Sequence, residues 1–182
     1  MKFGPVRVAE CEGAILAHSQ KLGAVTFKKG RRLSAEDVVV LTAAGVGEVI
    51  AARFDPGDVP EDEAAARVAA AVAGTGLSQA APFTGRANLI AASEGLLCFD
   101  PARLDALNLV HEDVTLATLP AFTRVAPKQM VATVKIIPFA VPGGVLERCL
   151  ASKRGASRSA RRVMLEPPQR RLTRRLPRLP SA

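Results

Sequence analysis

Residues 34–54 read SAEDVVVLTAAGVGEVIAARF. Ser34 can cap a helix through its hydroxyl, and Glu36 and Asp37 follow in the first turn, where negative charge suits the helix dipole. The helix is expected over Ala35–Ala44 and stops at Gly45, a residue type favoured just past a helix end. Glu48 to Phe54 is apolar and β-like, and it predicts a central strand. Helix and strand in direct succession make this chain α/β (α+β).

Outward from this stretch the same signals recur. Upstream, Val6 to Gly13 is expected to start as a short helix, and Ala14 to His18 reads as a strand. Val25 and Phe27 alternate with polar neighbours between Gly23 and Gly30, as a half-buried strand does. Downstream, Asp55-Pro56-Gly57-Asp58 is a turn by composition. Pro60-Glu61-Asp62-Glu63 opens an alanine-rich helix that runs to Gly74. Ala87–Ala92 and Leu96–Phe99 are expected as two strands of a hairpin joined at Ser93-Glu94-Gly95. Asp100 caps a helix with Pro101 in its first turn, ending near Asn108. Val114–Leu119 and Met130–Ile137 are β-rich, and Pro138 and Pro142 flank a last short segment ending near Leu150. The expected architecture is a mixed β-sheet with about three helices over residues 1–150, followed by a disordered basic tail over 151–182.

Charge separates the same two parts. The chain of 182 residues carries a formal charge of +8. Residues 1–147 hold 14 Lys or Arg against 16 Asp or Glu, whereas residues 148–182 hold 11 against Glu166 alone. The folded part is near neutral. The tail is rich in Arg, Ser and Pro, with too few apolar residues for a core. A basic arm for nucleic acid or anionic lipid is one reading. A solvated peptide is the stronger one, because no aromatic residue interleaves the arginines to stack on bases, and nucleic acid is not the expected partner. So abrupt a seam is also what a shifted reading frame or a truncated gene would produce.

No signal-peptide pattern opens the chain, and no apolar run is long enough for a membrane span. Cys11, Cys98 and Cys149 fit neither a disulfide framework nor a zinc pattern, so reduced thiols and a cytoplasmic location are expected, with no membrane partner. The sequence lacks a GxxxxGK[ST] loop, a GxGxxG after a strand, HExxH and GxSxG. With only His18 and His111, a metal site would need carboxylates or thiols to converge. His111-Glu112-Asp113 reads as a solvated loop.

Three features carry binding chemistry. Lys28-Lys29-Gly30-Arg31-Arg32 is the densest positive cluster before the tail, at a turn leading into a helix N-terminus. Lys28, Lys29 and Arg31 are its candidate phosphate ligands, against the plainer reading of an exposed turn. Arg86 and Asn88 lie two apart at a strand start, so both point to one face. Arg86 could pair with phosphate or carboxylate and Asn88 with a heterocycle edge, unless Arg86 pairs internally with the acidic residues at 61–63. Lys135 interrupts an apolar strand, and it is expected to reach solvent from a sheet edge.

The stretches VRVAECEGAILAHS, KKGRRLSAEDVVVLTAAGVGEVIAAR, DVPEDEAAARVA, GRANLIAASEGLL, TLATLP and MVATVKIIPFAV together resemble the N-terminal region of bacterial molybdopterin-binding proteins. Gly13 to Arg53 also resembles part of the molybdopterin molybdotransferase pattern. The resemblance implies a role in molybdenum cofactor biosynthesis or handling, with molybdopterin as ligand and other cofactor-biosynthesis subunits, or a second copy of the chain, as partners. The family is linked to molybdotransferase and nucleotidyltransferase activities. Its pterin site lies chiefly in a later domain with a glycine- and serine-rich phosphate loop, before which this sequence ends. No catalytic residue carries over, and the resemblance implies a non-catalytic accessory module. The competing reading is a small adaptor whose basic tail binds nucleic acid or an acidic partner.

Overall fold

The computed structural model describes residues 1–151 and 163–166. Its first part contains β1 (Lys2–Arg7), a 3-10 turn (Val8–Glu10), β2 (Ile15–Leu16), β3 (Gln20–Leu22), β4 (Val25–Phe27), α1 (Ala35–Ala43) and β5 (Glu48–Arg53). β5 is central, flanked by β1 and β2, as its apolar sequence predicts. Residues 6–13 depart from the expected helix. Val6 and Arg7 finish β1 in full antiparallel register with β5, and only the 3-10 turn follows. Pairing with a buried strand outweighs local propensity there.

The helix α1 starts where Ser34 predicts. The Ser34 hydroxyl accepts from the Asp37 amide at 3.3 Å, and the Asp37 carboxylate accepts from the Ser34 amide at 3.2 Å, a reciprocal capping box. Val8, Leu16, Phe27, Leu33, Leu41 and Val49 form a small core beneath this helix.

The second part runs β6 (Asp58–Pro60), α2 (Glu61–Val72), β7 (Leu77–Gln79), β8 (Arg86–Ala91), β9 (Gly95–Cys98), α3 (Pro101–Asn108), β10 (Val114–Thr118), β11 (Arg124–Val125), β12 (Met130–Ile136), β13 (Ala140–Pro142), α4 (Gly143–Ala151) and β14 (Met164–Glu166). A four-stranded sheet in the order β10-β12-β8-β7 is its frame. Ala64, Ala65, Val68 and Ala69 form the buried stripe of α2. Their 3–4 spacing, with small side chains, lets the helix lie close on β8 and β12. The larger core gathers here around Leu89, Val134, Ile136 and Leu146. The chain thus has two apolar clusters rather than one, and the α+β class holds.

Three expectations are corrected. β8 and β9 do not form a hairpin with each other: β8 pairs with β12 and β7, while β9 pairs with β11 and β14. There are four helices rather than three among the described residues, because the segment after Pro142 is α4, which buries Val145, Leu146 and Cys149. The tail is not wholly without structure. β14 pairs antiparallel with β9, and Val163 and Leu165 are each 5% exposed within the larger core. The remaining tail residues, 152–162 and 167–182, lie outside the described residues.

Two glycines make room for β14. A Cβ on Gly76, whose φ is +79°, would stand 2.8 Å from the Leu165 Cβ, and one on Gly95 would stand 2.6 Å from the Glu166 carbonyl oxygen. Replacing Leu165 with Ala is expected to lower the unfolding free energy by about 2–5 kcal/mol, the usual range for a buried leucine. Chemical denaturation measures this, and an unchanged midpoint would show that β14 is not part of the core.

Candidate functional site

The site begins with a turn. Arg86 donates its amide to the Phe83 carbonyl at 3.1 Å, and Phe83 donates to the Arg86 carbonyl at 2.9 Å, which closes a two-residue loop over Thr84 and Gly85. Both loop residues have positive φ, 48° and 71°, as a type I′ hairpin turn requires. Gly85 has no alternative. An added Cβ would lie 2.7 Å from a carboxylate oxygen of Glu61 and 2.7 Å from the Ile136 carbonyl oxygen. Its amide donates to Asp62 Oδ1 at 2.7 Å, so the acidic start of α2 is tied to this turn.

Arg86 leads β8 out of that turn, and strand register sets Lys135 of β12 directly opposite it. Both side chains are exposed, on the face of the sheet turned away from α2. Lys135 therefore reaches solvent from an inner strand, not from the expected edge. Thr115 of β10 is next across from Lys135. Asn88 follows Arg86 on the same face, as the strand period predicts, but opposite Thr133 and outside the cleft described next.

A cleft of about 470 Å³ opens where the first part of the fold meets the second. Lys29 and Gly30 line one side; Glu61, Arg86, Lys135, Ile137 and Phe139 line the other. Its size falls within the range of small-molecule sites, which favour such junctions. Phe139 fastens the two sides together. The Phe3 ring lies 6.3 Å from its ring centre, and Lys29 Nζ lies 5.8 Å from it. The Phe139 carbonyl also accepts from the Glu61 amide at 2.9 Å.

The basic turn is divided by one ion pair. Arg31 donates from Nε and Nη2 to the two carboxylate oxygens of Asp37, at 2.7 and 2.8 Å, and its guanidinium lies 4.6 Å from the Phe27 ring centre. Those hydrogen bonds hold the Asp37 carboxyl below its ordinary range. Arg31 is thereby committed to the capping box, Arg32 rests over Phe54 at 5.5 Å, and Lys28 is exposed outside the cleft. Of the three candidates in this turn, only Lys29 lines the cleft.

The cleft therefore holds three cations, Lys29, Arg86 and Lys135. Among the described residues none of them has an ion-pair partner, and the internal pairing of Arg86 with residues 61–63 does not form. Glu61 is half-buried and lines the same cleft, and among the described residues its carboxylate accepts no hydrogen bond. Burial pushes its pKa up, Asp62 adds to that, and Lys29 draws it down. Along the chain Lys135 shows only as a lysine within an apolar strand, and Glu61 only as part of the acidic start of a helix. Only the pairing of β12 with β8, and the turn that brings α2 to Gly85, place them here.

Among the described residues no group of three or more His, Cys, Asp or Glu side chains is placed to hold a metal ion. His111 is used locally: its Nδ1 accepts from the Asp113 amide at 3.2 Å. No helix among them is long and apolar enough to cross a membrane. A family model described as a domain of unknown function (DUF8806) matches residues 5–53, which is the first part of the fold. No curated protein and no solved structure matches the chain.

Like charges facing each other across a ladder repel. Replacing Lys135 with Gln is therefore expected to leave the melting temperature unchanged or to raise it. A fall of more than about 4 °C would show that Lys135 is held by a stabilising partner.

Proposed function

We propose that this protein is a non-catalytic binding module that holds a phosphorylated small molecule in the cleft between its two parts. The observation that carries the reading is the convergence of Lys29, Arg86 and Lys135 from three separate segments, none of them in an ion pair among the described residues. Such a cluster is repulsive when empty, and an anion relieves it. Arg86 offers a planar fork to phosphate oxygens, and the two lysines add point charges.

The resemblance to molybdopterin-binding proteins supplies the cellular role: an accessory module in molybdenum cofactor biosynthesis or handling. Molybdopterin carries a phosphate monoester, the group this cleft is suited to hold. The buried thiols of Cys11, Cys98 and Cys149 suit a reducing compartment, and we place the protein in the cytoplasm. Other cofactor-biosynthesis subunits are the partners this role implies.

The test is purification of the full chain from cells that make molybdenum cofactor, followed by oxidation and measurement of pterin fluorescence. Wild-type protein is expected to retain a phosphorylated pterin, and the Arg86→Ala/Lys135→Ala variant to retain at least about tenfold less, the loss of roughly 1.4 kcal/mol or more. Absence of pterin from the wild type removes the molybdenum assignment. Equal retention by the variant removes the cleft.

A further inference from the structure

We infer that the cleft selects phosphate monoesters that also carry a positively charged or N–H-donating group, and that Glu61 is the residue that selects them. The inference rests on the phosphate-holding reading above and adds the second half of the ligand.

A site built for a bare anion has no use for a carboxylate beside it. Glu61 lines the same cleft as Lys29, Arg86 and Lys135, half-buried, with opposite charges close enough for Lys29 to act on its titration. It nevertheless forms no ion pair with any of them, although eight other Asp and Glu side chains among the described residues are paired with arginine or the N-terminal amine. Its neighbour Asp62 differs: that carboxylate is spent on the Gly85 amide at 2.7 Å.

Backbone constraints keep Glu61 where it is. Its amide is bonded to the Phe139 carbonyl at 2.9 Å, and its carboxylate lies against Gly85, where an added Cβ would come within 2.7 Å of it. The Asp62 bond to Gly85 and the Ile136 amide bond to the Gly85 carbonyl at 2.7 Å hold that turn in turn. Positive and negative groups are thus held apart inside one cleft of about 470 Å³. A ligand with only a phosphate meets the cations and is repelled by Glu61. A ligand with a phosphate at one end and an ammonium or amidine-type N–H edge at the other satisfies both. A carboxylate accepts hydrogen bonds only, so the complementary group must donate them.

O-Phosphoethanolamine and 2-hydroxyethyl phosphate separate the alternatives, since they differ by an ammonium against a hydroxyl on one scaffold. Titration calorimetry on the full chain at about pH 8 keeps carboxylate and ammonium both charged. The wild type is expected to bind the amine ester at least about tenfold more tightly. Glu61→Gln should weaken the amine ester and tighten 2-hydroxyethyl phosphate, because it removes a negative charge from beside the phosphate. Glu61→Asp, which keeps the charge, should retain the preference in part. A wild type that binds inorganic phosphate but shows no preference between the esters overturns this inference and leaves the phosphate cleft standing. Failure of inorganic phosphate and both esters to bind overturns both. A preference that persists unchanged in Glu61→Gln overturns the assignment to Glu61.

Discussion

The bidentate pair between Arg31 and Asp37 decides what the basic turn can do. Asp37 serves two masters, the Ser34 cap and the Arg31 guanidinium, and its carboxylate is 7% exposed. That double use fixes the start of α1 and the direction of the chain entering it. The backbone leading into the helix is pinned along β2, with Leu16 donating to Arg31 at 2.9 Å and Gly30 donating to Leu16 at 2.8 Å. Gly30 has φ +83°, so the chain reverses there and leaves Lys29 facing the second part of the fold. Arg31 is consumed by structure, and Lys29 is released to the cleft.

The opposite side depends on a comparable device. Asp62 at the start of α2 holds the Gly85 amide, and the two-residue turn delivers Arg86 to a register in which Lys135 is its neighbour. Both halves of the cleft are thus set by a carboxylate near a helix N-terminus that binds backbone or guanidinium and is thereby unable to neutralise the free cations. Separating the carboxylates that build the fold from the cations that face the cleft is what leaves a net positive cavity in a region whose overall charge is close to zero. Glu61 is the exception, and its position beside Gly85 makes it part of the cavity rather than part of the frame.

Much of the local structure was legible in the sequence. Ser34 with Asp37, Asp100 with Pro101, and the acidic start of α2 mark their helices through interactions within a turn. The apolar run of β5 marks a central strand, and the alternation in β8 puts Arg86 and Asn88 on one face. What failed depends on partners far away in the chain. β8 and β9 look like a hairpin because Ser93-Glu94-Gly95 resembles a turn, yet the two strands are claimed by β12 and by β14. Helix α4 was hidden behind Pro138 and Pro142, and its strongest feature is burial of Leu146 against elements it does not neighbour in sequence. β14 is three residues within an arginine-rich stretch, visible only once Gly76 and Gly95 are seen to leave space for Leu165. The cleft follows the same rule. Lys29 and Arg86 stand out individually, but nothing along the chain sorts Lys29 from Arg31, or brings Lys135 to Arg86.

The central claim is that segments around residues 29, 86 and 135 form one anion site. Backbone amide chemical shifts recorded by NMR during titration with inorganic phosphate test it most directly. Gly30, Gly85, Arg86, Ile136 and Ile137 are expected to shift together, with one common dissociation constant. Shifts confined to Lys28–Arg32, shifts only beyond Ala151, or separate constants for the two sides would contradict the account.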